Sequence, residues 1–389
     1  MEKRNHAFAA TVASDFTAFI AGVKPVAGET IERARAAAAW LIRAQNATGC
    51  GGVSYGYFPL RSPRGWQAAY PETTGYIITS LLNYAGAFDD DIARLSALQM
   101  ARWEISVQMP SGAVQGGILT TSEAQTPAAF NTGMVLDGLV SAAEIGSDPG
   151  FIEAARRAAD FLLGDQTDEG YFRSNGAYVT AGTIKTYNCL NAWSMFRFGR
   201  LVREKRYEEA ATRAILAALN QQRPNGWFAN NCLSNNAAPL LHTIGYTLQG
   251  VLEVGALAGR EDFVDAAKLA AEAIASRTRP DGFISGRLDA NWRPSVRSAC
   301  LTGSAQFAVV CFRLAELTGH ARWRSIANQV VDFLKTRQVM DNVDPGIRGA
   351  LAGAFPILGD YQPGGYPNWA TKYFLDALLH QASGGVEAA

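Results

Sequence analysis

The sequence has little of several things that define protein classes. Its 389 residues include five cysteines, with no CxxC pair and no cysteine–histidine cluster at zinc spacing, which argues against a disulfide framework or a zinc site. No apolar run is long enough to span a membrane, and the N-terminal residues lack the apolar stretch and cleavage site of a secretion signal. We therefore expect a soluble cytoplasmic protein with reduced thiols, no metal and no cofactor.

The chain also lacks an excess of charge. Its 35 basic and 35 acidic residues balance, so no overall field draws it to nucleic acid or to an anionic membrane. Hydrophobic residues make up 48% of the chain and charged residues 18%, which is ordinary for a globular protein and sufficient for a large core. These totals predict that ligands are recognised by local groups, and nucleic acid is not an expected partner.

What the chain does contain is a short repeated pattern in which a helical stretch ends in Gln and Gly follows four residues later. The pattern, with weaker versions at the last two positions, starts at Gln45, Gln108, Gln166, Gln222, Thr278 and Gln338. The intervals are 63, 58, 56, 56 and 60 residues. A nearly fixed period of this length indicates a repeat architecture, because each helical hairpin buries its apolar face only against its neighbours.

The hydrophobic periodicity predicts two kinds of helix. Amphipathic helices, such as the one containing Trp40 and Leu41, precede the pattern, and more uniformly apolar helices follow it. Six outer and six inner helices predict an all-α (α/α)6 toroid of six hairpins over residues 30–383, with an extension at 1–29 and a tail at 384–389. Short turns gather at one end and long loops at the other, so we expect the functional site at the loop end.

Four residues near the loop end are candidates for acid–base chemistry. His242 and Tyr246 are one helical turn apart, so their side chains share a face. A neutral imidazole can take a proton, and we expect nearby arginines to lower its pKa; the alternative is a structural core histidine. Glu72 opens an inner helix and Asp360 lies in the last long loop. Together they offer the acid and base of a glycosidase, although a carboxylate in a first helical turn also has a purely structural explanation.

The predicted loop end is also rich in aromatic, arginine and amide side chains. Aromatic faces at a groove stack on sugar rings, and arginines bind carboxylates in a bidentate fashion. Some of the aromatic residues are expected to serve packing alone, and many of the arginines to be solvated loop charges. The residues expected to bind substrate are Tyr57, Arg61, Trp66, Tyr76, Asn131, Asn188, Trp227, Arg287, Asn368 and Trp369.

The chain resembles known families in two ways. The pattern of Gln, three residues, Gly and an aromatic, as in Gln166 to Tyr171 and Gln222 to Trp227, resembles the repeat of (α/α)6-toroid carbohydrate-active enzymes and of terpene cyclases. The segments Tyr70 to Tyr76, His242 to Tyr246 and Tyr366 to Ala370 resemble toroid proteins of bacterial exopolysaccharide gene clusters. This resemblance extends over nearly the whole chain. It implies the toroid fold, a poly- or oligosaccharide substrate, and partners from polysaccharide assembly.

The resemblance of the chain to the polysaccharide lyases and uronyl epimerases of this fold implies a function. We expect an enzyme that acts on an acidic, uronate-containing glycan: arginines neutralise the carboxylate, and His242 or Tyr246 takes the proton alpha to it. One alternative is a glycoside hydrolase that uses Glu72 and Asp360. Others are a non-catalytic glycan-binding scaffold and a terpene-cyclase-like protein. For the last, the acidic run at residues 89–91 is expected in a short turn at the wrong end.

Overall fold

The computed structural model describes residues 2–61, 63–119, 125–146, 148–177 and 179–386. The end of the predicted tail, residues 387–389, lies outside these ranges. The described helices are α1 (Glu2–Ala21), α2 (Thr30–Asn46), α3 (Pro71–Phe88), α4 (Asp91–Val107), α5 (Ala129–Ile145), α6 (Pro149–Asp165), α7 (Leu190–Val202), α8 (Lys205–Leu219), α9 (Leu241–Ala258), α10 (Glu261–Ala275), α11 (Leu301–Thr318), α12 (Ala321–Lys335) and α13 (Asn368–Val386). Within this part of the chain, none of the helices has the length and hydropathy needed to cross a membrane.

Twelve of these helices form a double ring. The inner helices α3, α5, α7, α9, α11 and α13 pack in this order, and α13 returns to pack against α3. Each outer helix packs on the inner helix that precedes it, and α2 packs on α13, which completes the sixth pair. The inner helices are buried on most faces, as in α9, where every residue from Leu241 to Gly255 is buried. The predicted (α/α)6 toroid is confirmed.

Short strands join the long loops at one end of the ring. Strand β1 (Gly56–Phe58) pairs antiparallel with β2 (Gly65–Trp66) and with β5 (Tyr366–Pro367), and β3 (Ala299–Cys300) pairs with β4 (Ala354–Phe355). Because β1 belongs to the first long loop and β5 to the last, the three-stranded sheet closes the ring on the loop side.

The repeated glutamine ties each loop to the next outer helix. The side-chain amide of Gln166 donates to the carbonyl oxygens of Gly170 (3.3 Å) and of Ala210 in α8 (2.9 Å). Gln108 and Gln222 each make the equivalent two bonds, to the glycine four residues on and to the following outer helix. The period of the pattern in the sequence therefore corresponds to the step from one outer helix to the next around the ring.

The glycine of the pattern is required both by its conformation and by the space around it. Gly170 has a φ of +96°, and a Cβ atom there would lie 2.4 Å from the carbonyl oxygen of Arg213 in the next outer helix. Gly112 and Gly226 also have positive φ and also contact the backbone of the following outer helix. A side chain at these positions would push neighbouring hairpins apart.

The last repeat departs from the predicted spacing. Gln338 donates to the carbonyl of Arg33 in α2 (3.0 Å), which closes the outer ring, and to the carbonyl of Gly349 (3.1 Å). Gly349, with a φ of +92°, therefore takes the place that the sequence pattern gave to Asn342. An insertion in the loop hides this glycine from a fixed-spacing search.

Replacing Gln166 with Ala should destabilise the ring, because it leaves two buried carbonyl oxygens without this donor. We expect a loss of about 2 to 4 kcal/mol in the free energy of unfolding, measured by urea denaturation. Gln329→Ala is the matched control, since its partly exposed side chain makes one hydrogen bond among the described residues, to the carbonyl of Arg279 (2.8 Å). Equal losses in the two variants would contradict the assigned role of Gln166.

Helix α1 lies outside the double ring and braces the last long loop. Asp15 accepts a hydrogen bond from the backbone N–H of Ile357 and forms an ion pair with Arg337 (3.1 Å). The ring of Phe19 meets that of Phe355 edge-on, with centroids 5.5 Å apart. The N-terminal segment thus supports the loop that carries part of the site described next.

Candidate active site

The loop end of the ring contains a cavity of about 260 Å³. Six residues predicted for the site line it: Glu72, Asn131, Asn188, His242, Tyr246 and Trp369. Much of the remaining wall is aromatic and includes Tyr55, Tyr70, Phe130, Tyr187 and Tyr361. An aromatic wall with a few polar groups at one end is the usual composition of a small-molecule site.

Glu72 stands in the first turn of α3, directly after Pro71, which begins the helix. The hydroxyl of Tyr70 donates to one of its carboxyl oxygens (2.8 Å), so the other remains available to a ligand. Burial raises the pKa of Glu72 to about 7, and the hydrogen bond from Tyr70 opposes this rise only in part. Both protonation states are therefore populated near neutral pH, which suits a group that gives and takes protons.

His242 stands in the first turn of α9 and is 7% exposed. Its Nδ1 lies 2.7 Å from Oε1 of Gln306 in α11. Because a carbonyl oxygen only accepts, Nδ1 carries the ring proton and Nε2 is left as an acceptor.

Burial lowers the pKa of His242 to about 4; the bond to Gln306 raises it, and the charge of Lys372 lowers it further. The arginines predicted to lower this pKa are not its main cause, since burial dominates and the contributing cation is a lysine. The imidazole is therefore neutral at ordinary pH and acts as an acceptor more readily than as a strong base.

Tyr246 lines the cavity, and Tyr76 and Tyr373 pack behind it as a floor without lining the cavity themselves, so the predicted contact of Tyr76 with substrate has no support. The ring of Tyr246 lies 4.4 Å from that of His242, and its hydroxyl is beside that of Tyr76. Burial raises the pKa of both phenols well above 10, so they are hydrogen-bond donors and not bases. Below them, Nζ of Lys372 lies 3.8 Å from the ring centre of Tyr373 and 4.9 Å from that of Tyr76. The cavity thus rests on phenol rings that cover a buried ammonium group.

Removing this ammonium should raise the pKa of His242. In Lys372→Met we expect a rise of up to about one unit, because one of the charges that disfavours the imidazolium is gone. The titration is followed by NMR of ring-labelled histidine. Lys335→Met is the matched control, since Lys335 is also buried and paired with a carboxylate (Asp332, 3.0 Å) but lies on the outer helix α12. An unchanged or lower pKa in Lys372→Met would contradict the electrostatic link.

Asp360 and Arg287 are not brought to the cavity wall. They form an ion pair with each other, and Arg287 also donates to the carbonyl of Ala238 (2.9 Å). The next two residues, Tyr361 and Gln362, line the cavity instead. The structure therefore does not assemble the predicted pair of Glu72 and Asp360 on one wall. Among the described lining residues there is neither arginine nor lysine.

Two other predicted binding residues are buried in the protein. Trp227 is 2% exposed, and its ring meets that of Trp292 at 5.2 Å. Asn368 is fully buried and donates to the carbonyl of Ser54 (2.8 Å) and to the hydroxyl of Thr73 (2.7 Å). Their positions favour structural roles, because neither side chain faces the cavity.

Tyr57, Trp66 and Arg61 lie on the first long loop, away from the cavity wall. The hydroxyl of Tyr57 donates to Asp344 (2.6 Å), and Trp66 packs on the ring of Tyr57 (5.1 Å). Arg61 is exposed, with its guanidinium 5.9 Å from the ring centre of Tyr55, which does line the cavity. Of the three, Arg61 is positioned to meet a ligand that extends out of the cavity.

Sequence reasoning missed Phe130, Tyr187 and Gln306. A signal for the first two was present: each directly precedes an asparagine, Asn131 or Asn188, at the start of an inner helix. Gln306 is a polar residue inside the long apolar stretch of α11, and it is 1% exposed. Such an isolated buried amide requires a partner, which the structure shows to be His242.

The fold is shared with several enzymes whose structures are known. Neither a family model nor a curated protein matches the chain by sequence. An unsaturated glucuronyl hydrolase specific for heparin matches over 92% of this chain and 98% of its own, with a TM-score of 0.73 and 14% identity. A GH76 α-mannanase from Bacteroides thetaiotaomicron matches over 93% and 97%, with a TM-score of 0.70 and 10% identity. A cellobiose 2-epimerase from Bacillus thermoamylovorans matches over 87% and 95%, with a TM-score of 0.68 and 10% identity. The chain therefore has the (α/α)6-toroid fold that these carbohydrate-active enzymes share.

Proposed function

We propose that this chain is a carbohydrate-active enzyme that binds one end of an oligosaccharide in the aromatic cavity and moves a proton on the bound sugar. The observation that carries the proposal is Glu72. Among the described lining residues it is the one carboxyl group, and its pKa is raised to about 7. A group poised in this way at the wall of a ligand-sized cavity is typical of a general acid–base.

The cavity wall suits a sugar ring. Tyr55 and Trp369, whose ring centroids are 4.7 Å apart, offer aromatic faces and edges to the C–H groups of a pyranose. Asn131 and Asn188 offer amide groups to its hydroxyls, and Nε2 of His242 accepts from one of them. The structural neighbours named above, two hydrolases and an epimerase that act on sugars, support the same substrate class.

The reaction we propose is proton abstraction from a sugar carbon next to a carbonyl or carboxyl group. The carboxylate of Glu72 takes the proton, the C–H electron pair forms a C=C bond, and the π pair of the carbonyl moves to its oxygen to give an enolate. The amides of Asn131 and Asn188 and the hydroxyl of Tyr246 donate to that oxygen. Protonation of that carbon from the opposite face by water, with the proton on Glu72 released to solvent, gives epimerisation. In elimination the C–O bond at the adjacent carbon breaks, and the leaving oxygen takes the proton that Glu72 holds.

The carboxylate of a uronate fits the outer edge of the cavity near Tyr55 and Arg61, which we call the rim, better than it fits the cavity floor. The described wall has no arginine or lysine to neutralise it, and Arg287 is already paired with Asp360. Arg61, over the outer aromatic Tyr55, is placed to bind a carboxylate on a neighbouring sugar unit. We therefore propose an acidic glycan whose charged group is held at the rim.

A second candidate is hydrolysis of an unsaturated uronate, which the glucuronyl hydrolases among the structural neighbours favour. An enol ether is cleaved when an acid protonates its C=C bond at carbon and water adds to the adjacent carbon. One carboxyl group that is still protonated near pH 7 is sufficient for this step. The two-carboxylate mechanism with Asp360 receives no support from the geometry.

The two candidates are separated by incubating the protein with neutral and acidic oligosaccharides, saturated and unsaturated, in deuterated water. Abstraction predicts deuterium at a sugar carbon, with a new ultraviolet-absorbing product in the case of elimination. Hydrolysis of an unsaturated uronate predicts loss of that absorbance. Activity should rise with pH through about 7 if Glu72 begins as the base, and fall if it begins as the acid. Unchanged activity in Glu72→Gln would contradict both candidate reactions.

A further inference from the structure

A second cavity, of about 470 Å³, lies at the opposite end of the ring. It is lined by residues of the six inner helices α3, α5, α7, α9, α11 and α13, and we call it the lower cavity. Its residues include Asp137 of α5, Gln249 and Glu253 of α9, Arg313 of α11 and Lys372 of α13. The phenol floor of Tyr76 and Tyr373, with Lys372 beneath it, lies between this space and the cavity of Glu72. The lower cavity is therefore a separate space.

The charged groups of the lower cavity are already paired. Lys372 binds Asp376 (2.8 Å), and Arg313 binds both carboxyl oxygens of Glu253 (2.8 and 3.1 Å). Asp137 is held by Arg197 (2.6 Å), which stands beside the cavity. A ligand with a net charge would have to break one of these partly buried pairs, which is costly. The lining therefore favours a ligand without net charge.

Two lining groups, Gln249 and Trp193, are placed to bind such a ligand, and the guanidinium of Arg197 lies 5.8 Å from the ring centre of Trp193. Gln249 is 7% exposed, and its side-chain amide has no hydrogen-bond partner among the described residues. The amide of this otherwise buried side chain is open to the cavity, where a ligand or solvent satisfies it. Trp193, on the neighbouring helix α7, contributes an aromatic ring to the same lining. An amide that donates and accepts beside an aromatic ring is the chemistry that binds a polyhydroxylated ring.

We propose that the lower cavity is a second binding site, which takes a neutral polyhydroxylated ligand such as a mono- or disaccharide. Gln249 bonds to its hydroxyls, Trp193 packs on its C–H face, and the paired carboxylates accept further hydroxyl protons. The site is distinct from the cavity of Glu72, since none of the residues that line one cavity lines the other. Its volume is sufficient for one or two sugar units.

The two cavities each contain a tryptophan, which makes them distinguishable in one experiment. Trp193 lines the lower cavity and Trp369 the upper one, out of eight tryptophans in the chain. The indole N–H signals of the labelled full-length protein are assigned with Trp193→Phe and Trp369→Phe. The protein is then titrated with glucose, mannose, maltose and cellobiose. We expect at least one sugar to move both signals, with different midpoints.

The variant Gln249→Leu should weaken the effect on Trp193 by about tenfold or more, as expected for the loss of one buried hydrogen bond, and leave Trp369 unchanged. Gln249→Met is used if the leucine variant does not fold. A Trp193 signal that stays fixed while that of Trp369 moves overturns the second site and leaves the proposed function standing. Movement of the Trp193 signal alone supports the second site. If the Trp193 signal moves with none of these sugars, the second site is overturned, while the proposed function, which concerns an acidic glycan, is decided by the deuterium and absorbance assays.

Discussion

Glu72→Gln should lower turnover by about two to four orders of magnitude while leaving saccharide binding nearly intact. Glutamine keeps the size of the side chain and accepts the hydrogen bond from Tyr70, but it cannot carry the proton. The result is read from kcat and KM on any substrate found in the panel above. A variant that keeps near-normal kcat would show that the proton moves through another group.

Tyr70→Phe is the matched control for this substitution. It removes the hydrogen bond that lowers the pKa of Glu72 but leaves the carboxyl group in place. We expect turnover to persist. In the pH profile of activity, the apparent pKa assigned to Glu72 should rise above about 7. Loss of turnover as large as in Glu72→Gln would instead assign the chemistry to the phenol.

His242→Gln should cost less than Glu72→Gln. The sequence made the pair of His242 and Tyr246 candidates for the base, but burial lowers the pKa of His242 to about 4, so the neutral ring binds a proton only weakly. Glutamine retains an acceptor in place of Nε2, and we expect a loss of about one to two orders of magnitude. A loss larger than that of Glu72→Gln would return the principal role to His242.

The second large effect concerns stability. Glu104 of α4 is fully buried, and neither of its carboxyl oxygens has a hydrogen-bond partner among the described residues. Burial therefore raises the pKa of Glu104 well above 4.5. The native protein keeps this proton, whereas the unfolded chain releases it above pH 4.5. The contribution of Glu104 to stability is therefore complete at low pH. As the pH rises above 4.5, the free energy of unfolding falls by about 1.4 kcal/mol for each pH unit, until the native pKa of Glu104 is reached.

Glu104→Gln removes this penalty because it keeps the shape and cannot ionise. Urea unfolding at about pH 5 and about pH 8 should show a shallower decline of stability with pH in the variant, with a gain of about 2 kcal/mol or more at the higher pH. Glu153→Gln, on the exposed face of α6, is the control and should change neither value. Parallel pH dependences of wild type and Glu104→Gln would contradict the assignment of a buried, protonated carboxyl group.

The ring was predictable because its cause is local and repeated. Gln108, Gln166 and Gln222 make the same two bonds, and Gly112, Gly170 and Gly226 fill the same tight contact, so the requirement recurs at a nearly fixed spacing that is visible in the sequence. The side chains at the cavity were predictable for a related reason. His242 and Tyr246 are four residues apart on one helix, and the helix geometry alone puts them on a common face.

The remaining features depend on contacts between distant parts of the chain. Arg287 and Asp360 are 73 residues apart in sequence, and their ion pair, which removes both from the site, has no local signal. Trp227 stands in a loop beside a glycine, and only the approach of Trp292 shows that it is buried. The pKa of Glu72 is likewise set by burial among several segments that meet only in the folded ring.

The most direct measurement is the titration of the Glu72 carboxyl group itself. The infrared carboxylate band of the protein, recorded from about pH 5 to about pH 9, is compared with that of Glu72→Gln, so that the difference isolates one residue. A midpoint near pH 7 in this difference is expected if Glu72 is the poised acid–base group of the cavity. A midpoint near 4.5, the ordinary value for glutamate, would mean that Glu72 is a permanent carboxylate at neutral pH and would contradict the proposed chemistry.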